Sequence, residues 1–278
     1  MTSPALRYDV NLSILFQELP ILERPAAAAE LGFTAVEFWW PFGEAVPSDA
    51  DVDAFVSALD NAGVQLIGLN FDAGNMPGGD RGLLSRPSTS SRFRDNIDVA
   101  VGIAERTGCK ALNALYGNRE EGVSPQEQDD IAAENLALAA KAASRIDAVI
   151  LLEALNSAEN AKYPLLTAAD TLAVLDRVSS EGGVDNLRFL CDLYHLARNG
   201  EDLQQVIAGS TERIGHVQIA DTPGRNQPGT GDLDIDGLLS ALEKQGYDGY
   251  VGLEYKPLGA SADSFEWLPR ERRAAATS

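Results

Sequence analysis

Val149-Ile150-Leu151-Leu152-Glu153, Arg188-Phe189-Leu190-Cys191-Asp192, His216-Val217-Gln218-Ile219 and Tyr250-Val251-Gly252-Leu253-Glu254 are four short apolar runs, and each carries an acid or an amide at or near its end. Runs of four to six residues bounded by Gly, Asn or Asp read as parallel strands covered on both faces. Working outward, Tyr8–Leu12, Ala35–Phe38, Gln65–Asn70 and Ala111–Leu115 have the same character, and with Val149–Glu153, Arg188–Cys191, Ile214–Ile219 and Tyr250–Glu254 they make eight candidate strands. Segments of helical period separate them: Ile21–Leu31, Asp51–Ala62, Ser91–Thr107, Pro125–Arg145, Ala168–Ser179, Leu203–Ala208 and Ile235–Gln245. Thr167 with Asp170 three residues on makes a capping box, and Gly32, Gly63, Gly108 and Gly246 follow helix ends.

Eight βα units without a linker predict an α/β fold consisting of a single (β/α)8 TIM barrel, which needs about 250 residues. A doubly wound dinucleotide-binding sheet wants a Gly-rich turn after the first strand, and Asn11-Leu12-Ser13-Ile14-Leu15 has none. The barrel is expected over residues 1–260. Residues 261–278 are expected to form a tail with a short helix, its Phe265, Trp267 and Leu268 packing on the barrel bottom or on a partner subunit. Two long connections, Phe71–Pro87 and Thr222–Asp232, follow strands three and seven, on the barrel face where active sites form.

The chain has 278 residues and a formal charge of −20, from 22 basic and 42 acidic residues. That excess repels phosphate backbones and anionic lipid, so neither nucleic acid nor a membrane surface is an expected partner. No apolar run approaches the ~20 residues of a membrane span, and Met1–Leu6 lacks the pattern of a secretory signal. Cys109 and Cys191 are the two cysteines. Their spacing excludes a disulfide framework or zinc ribbon, and a reducing cytoplasm is the expected location.

The chemistry lies at the ends of the last four strands. Glu153, Asp192, Gln218 and Glu254 fall at one end of adjacent strands, which are ~4.8 Å apart, so the four side chains can converge. Three carboxylates at one point repel unless a cation compensates, and an oxygen-rich set suits Mg2+ or Mn2+ better than zinc. Taken singly, each has a structural reading: a salt-bridge glutamate, an N-cap aspartate, a hydrogen-bonded core amide. The coincidence on four neighbouring strands favours a metal site. His195, three residues after Asp192, can face the same pocket, whereas His216 shares the facing of Gln218 at a deeper level and reads as structural.

Cys191-Asp192-Leu193-Tyr194-His195, Gly215-His216-Val217-Gln218-Ile219-Ala220-Asp221-Thr222-Pro223-Gly224-Arg225, Pro228-Gly229-Thr230-Gly231 and Gly249-Tyr250-Val251-Gly252-Leu253-Glu254-Tyr255-Lys256-Pro257 resemble the hydroxypyruvate isomerase family. Asn11-Leu12-Ser13-Ile14-Leu15-Phe16, Gly32-Phe33-Thr34-Ala35-Val36-Glu37-Phe38 and Gly79-Asp80-Arg81-Gly82-Leu83 carry the likeness toward the N-terminus. That family belongs to the xylose-isomerase-like barrels. The resemblance implies metal ligands at Glu153, Asp192, Gln218 and Glu254, a proton-transfer pair in Glu153 and Glu254, and substrate contacts from His195 and Arg225. It further implies a small hydroxy-oxo acid as substrate and a homo-oligomer, a dimer or tetramer. Arg225, whose fork matches a carboxylate, is the first expected partner of the substrate acid, Lys256 the second, and Asn70 a further contact. One departure is Ala154, where the family usually has Pro after the glutamate.

The implied reaction interconverts hydroxypyruvate and tartronate semialdehyde through an enediolate. An isomerase of longer 2-oxo-tetronates is the nearest alternative. A ketose 3-epimerase is opposed by Gln218, where such enzymes usually carry His, and a non-catalytic sugar-acid binding barrel would not need two flanking glutamates. A DNA-repair endonuclease on this barrel is opposed by the two histidines and a pI near 4.4.

Overall fold

In the computed structural model, which describes residues 6–274, eight parallel strands close into a barrel in sequence order. They are β1 Arg7–Asn11, β2 Ala35–Phe38, β3 Gln65–Asn70, β4 Ala111–Asn113, β5 Val149–Glu153, β6 Leu187–Asp192, β7 Ile214–Ile219 and β8 Tyr250–Leu253. The helices are α1 Arg24–Glu30, α2 Asp49–Ala62, α3 Ser90–Thr107, α4 Pro125–Ser144, α5 Ala168–Gly182, α6 Leu193–Arg198, α7 Leu203–Ser210 and α8 Ile235–Lys244. The expected (β/α)8 barrel is thus the observed fold, with β1 hydrogen-bonded to β8 to complete the ring.

Local chemistry sets the helix starts. Ser48, Ser124 and Thr167 each accept from the backbone N–H three residues on, and Asp170 completes the reciprocal box at α5. Apolar faces then cover the barrel. Phe55 of α2, for example, packs edge-on against Phe38 of β2 with ring centroids 5.1 Å apart. Burying such a ring stabilises the fold by roughly 1.5–3 kcal/mol.

Sequence periodicity did not reveal α6. Asp192 ends β6 and also caps this helix, its Oδ1 accepting from the His195 N–H at 3.1 Å. The capping and ligand readings of Asp192 therefore fall on one residue: the cap uses Oδ1 and leaves Oδ2, 3.9 Å from the Arg225 guanidinium. Register irregularities sit between Val36 and Glu37 and between Phe189 and Leu190, just ahead of Glu37 and Asp192. Such bulges re-aim the side chains that follow.

After β8 the chain makes two 3-10 turns, Ser261–Phe265 and Arg270–Arg272. Phe265 packs among Phe33, Phe16 and Tyr255, and Trp267 meets Tyr8 edge-on at 6.2 Å, all within the same chain. Among the described residues no helix is long and apolar enough to cross a membrane. Both cysteines are buried and free.

Candidate active site

Glu153 ends β5, Asp192 ends β6, Gln218 lies in β7 beside Asp192 in register, and Glu254 directly follows β8. All four are buried, at 2–5% exposure. The guanidinium of Arg225, from the loop after β7, is hydrogen-bonded to Glu254 Oε2 and lies 3.9 Å from Asp192 Oδ2. Burial, then repulsion by Glu254 and Asp192, pushes the Glu153 carboxyl well above the usual range. Burial and Glu254 push Asp192 to about 7 against the pull of Arg225. Burial also raises Glu254, although Arg225 opposes it. The pocket floor is therefore an excess of acid around one cation.

Beneath the quartet a polar layer fixes its orientation. Glu37 Oε1 accepts from Gln218 Nε2 at 2.8 Å and Asn11 Nδ2 at 3.0 Å, while its Oε2 meets His216 Nε2 at 2.8 Å. Asn11 Nδ2 also donates to Glu254 Oε1 at 3.0 Å, and the Trp39 indole donates to the same oxygen at 2.6 Å. On the far side Asn113 holds Glu153 Oε1 at 2.8 Å. Burial alone would neutralise both members of the His216–Glu37 contact, but their attraction outweighs it. It lifts His216 to about 9 and lowers Glu37, so the two form a buried ion pair. Gly252 makes room for this layer, since a Cβ there would lie 2.8 Å from Glu37 Oε1 and 2.9 Å from His216 Nε2.

His195 accepts at Nδ1 from the Asn156 backbone N–H at 3.0 Å, which puts the ring proton on Nε2. Burial, then Arg225 and Arg81, hold its pKa well below the ordinary value, so the ring is a neutral donor. The backbone after Glu153 is fixed without a proline: Leu155 N–H donates to Leu165 O at 3.0 Å, and Asn156 positions His195.

A cavity of about 840 Å3 opens above these groups, and Glu153, Glu254, His195, Arg225, Lys256 and Asn70 line it. Asp192 and Gln218 do not line it. Trp39, Trp40, Phe42 and Met76 supply an apolar wall. Arg225 sits in the left-handed backbone region at φ 59°, and its carbonyl accepts from Lys256 N–H at 2.7 Å. The loop is tied down by Asp221, whose two oxygens accept from the N–H groups of Thr222, Gly229, Thr230, Gly231 and Leu233.

Two arrangements of acids could hold a cation. Asp9, Glu37 and His216 bring one ligand atom each within 4.8 Å of one another, the one His/Cys/Asp/Glu trio among the described residues to do so. Two of its members are already paired with each other. Glu153, Asp192 and Glu254 stand further apart, with Arg225 among them. Gln218 Oε1 and Asn113 Oδ1 are buried acceptors without a partner. Buried acceptors without donors, beside three buried carboxylates, form an all-oxygen set that fits a hard divalent cation.

Asn11, Trp39 and Asn156, which hold the acids and His195, were not assigned roles from sequence, whereas Asn113 and Glu37 stand out there as polar groups at strand ends. A signal for one was present: Asp9 and Asn11 alternate on β1, polar residues at period two on a face that should be apolar.

The barrel and its acid-lined mouth define a class, and the chain belongs to the xylose isomerase-like TIM barrel family, whose model matches residues 25–271. Within it the chain is 61% identical over 272 residues to a protein of Streptomyces coelicolor named putative hydroxypyruvate isomerase, covering 97% of this chain and 98% of that one. It is 33% identical to the hydroxypyruvate isomerase of Escherichia coli, over 95% of this chain and 98% of the relative. The 2-oxo-tetronate isomerase of Haemophilus influenzae is 30% identical with the same coverage. A crystal structure described as an AP endonuclease, family 2, from Brucella melitensis superposes with a TM-score of 0.86 at 32% identity, over 95% of this chain and 98% of that one.

Proposed function

We propose that this isomerase interconverts hydroxypyruvate and tartronate semialdehyde by moving a proton between adjacent carbons through an enediolate. The observation that carries the proposal is the pair Glu153 and Glu254, on strands separated by two others, both lining one cavity and both with raised pKa values. A carboxylate on one side removes the carbon-bound proton, and a carboxylic acid on the other delivers one to the neighbouring carbon. A glutamate whose pKa is raised by burial suits the second task.

Glu153, Asp192, Gln218 and Glu254 would hold a divalent ion, Mg2+ or Mn2+. When bound, that ion would supply Lewis-acid stabilisation of negative charge developing on the substrate. The Nε2–H of His195 donates to a substrate oxygen, and Arg225, Lys256 and Asn70 are further substrate contacts. Glu37 and Asn11 keep Gln218 and Glu254 aimed, and the Trp39 wall limits water. We further propose a cytoplasmic homo-oligomer acting on small anions; the charge of −20 speaks against nucleic-acid or membrane partners.

A longer 2-oxo-tetronate is the second reading, favoured by the relative so named. Purified protein supplied with Mg2+ or Mn2+ and offered each acid separately, with products resolved by proton NMR, decides. Conversion of hydroxypyruvate with the higher kcat/KM is expected. Preference for the tetronate selects the second reading, and conversion of neither overturns both.

A further inference from the structure

The substrate in the proposed reaction is an anion, and the three floor carboxylates cancel the charges of Arg225 and of a divalent ion held there, leaving none over for the substrate carboxylate. Arg225 cannot by itself correct this, because its charge is shared with Glu254 and Asp192 and feels Glu159 and Glu153 as well. Another cation stands at the wall. Arg81, in the long connection after β3, lines the same cavity and forms no ion pair among the described residues. The neighbouring acids are engaged elsewhere, Asp80 with Arg86 at 2.7 Å and Asp72 with Arg92 at 2.6 Å.

Arg81 is nonetheless rigid. Its Nε donates to Asn160 Oδ1 at 2.5 Å, and its Nη1 donates to the carbonyls of Met76 and Asp80 at 3.0 and 2.7 Å. Its own carbonyl accepts from Gly117 N–H at 3.0 Å. Gly82 behind it, at φ 109°, has its Cα so close to the Leu115 carbonyl that a Cβ would lie 2.0 Å from that oxygen. Asn160 in turn is bound to the Asn156 carbonyl at 3.0 Å, and Asn156 is the residue that orients His195. Nε and Nη1 are thus engaged, and Nη2 has no hydrogen-bond partner among the described residues. A neutral side chain could serve two carbonyls and an amide. A guanidinium with an idle nitrogen and no counter-ion leaves one full positive charge for a ligand.

We infer that Arg81 is the anchor for the substrate carboxylate, binding it through Nη2 from the cavity wall where the loops after β3, β4 and β5 meet. The inference rests on the isomerase reading for the identity of the substrate, but the site itself is a pocket for a small 2-hydroxy or 2-oxo carboxylate. It assigns Arg225 to substrate hydroxyl or carbonyl oxygens near Glu254 and leaves Lys256 to the cavity rim. Binding and chemistry are then divided between the loop after β3 and the ends of β5 to β8.

D-Glycerate has the carboxylate and a 2-hydroxyl but no carbonyl to isomerise, so its calorimetric titration reports the anchor separately from turnover. Against the wild-type protein, Arg81→Gln is expected to weaken glycerate binding by about 10- to 100-fold, the range for a hydrogen bond to a charged partner. The KM for hydroxypyruvate should rise by a similar factor with kcat changed less than about threefold. Arg81→Lys keeps the charge and is expected to recover a large part of the affinity, which a purely structural role for the fork would not produce. Failure of wild-type protein to bind glycerate overturns the assignment. So does glycerate affinity in Arg81→Gln equal to wild type, or an Arg81→Lys protein that binds as weakly as Arg81→Gln. If glycerate behaves as expected while no hydroxy-oxo acid is converted, the isomerase reading fails and the anchor stands.

Discussion

Gln218 donates its amide nitrogen to Glu37 across the barrel at 2.8 Å, and this leaves Gln218 Oε1 buried and without a hydrogen-bond partner among the described residues. The amide's orientation is thereby set by a residue five strands away in sequence order. Glu37→Gln removes the charge that pairs with His216 and allows the Gln218 amide to turn over. The expected cost is roughly 3 kcal/mol, as for breaking a buried ion pair, read as a lower urea midpoint with unchanged slope. Mn2+ affinity measured by titration should fall as well. An unchanged midpoint and affinity would show that Glu37 does not organise the site.

Gly252 tests the same layer from the side. A methyl at this position would press on Glu37 Oε1 and His216 Nε2, neither of which is a loose chain end. Gly252→Ala is expected to destabilise by about 1–3 kcal/mol, the range for overpacking a filled interior. Activity should drop at least tenfold, measured together with the thermal midpoint. Wild-type values for both would mean that the layer has slack.

Asp221 gathers five backbone N–H groups and so shapes the turn that presents Arg225. Asp221→Asn replaces one acceptor oxygen by a donor facing other donors. The loop should loosen, with faster amide hydrogen exchange at residues 222–231 and a fall in kcat/KM of tenfold or more. Exchange confined to wild-type rates would contradict the role assigned to this carboxylate.

Burial pushes the Cys109 thiol from 9.0 up to about 12, and Cys191 is likewise raised. In the unfolded chain both ionise at an ordinary pH, so between pH 9 and 12 the unfolded state carries fewer protons than the folded one. Stability is therefore intact below pH 9 and falls as pH rises through that window. Native protein should leave both thiols unmodified by a disulfide reagent at pH 8, and urea should expose two. Rapid labelling without denaturant would contradict the burial.

The eight strands were legible because buried parallel strands leave short apolar runs, and the four candidate ligands stood out because an acid or amide at such a strand's end has no place in an apolar core. Ends were less so: β4 stops at Asn113 and not Leu115, and α6 went unseen since six residues are too few to show a period. Which members of the supporting layer bond to which was illegible for a different reason. Asn11 and Glu37 are far apart in sequence from Glu254 and Gln218, and only closure of β1 onto β8 joins them. Nor does sequence reveal that Arg225 reaches into the acids while Arg81 remains unpaired.

Proton transfer by two glutamates is tested most directly by following hydroxypyruvate in D2O by proton NMR with wild-type protein, Glu153→Gln and Glu254→Gln. Wild type should place solvent deuterium on carbon in the product, and each variant should retain its circular dichroism while losing turnover by at least a thousandfold. Isomerisation that carries no deuterium into product over many turnovers, or either variant working at the wild-type rate, would contradict the account.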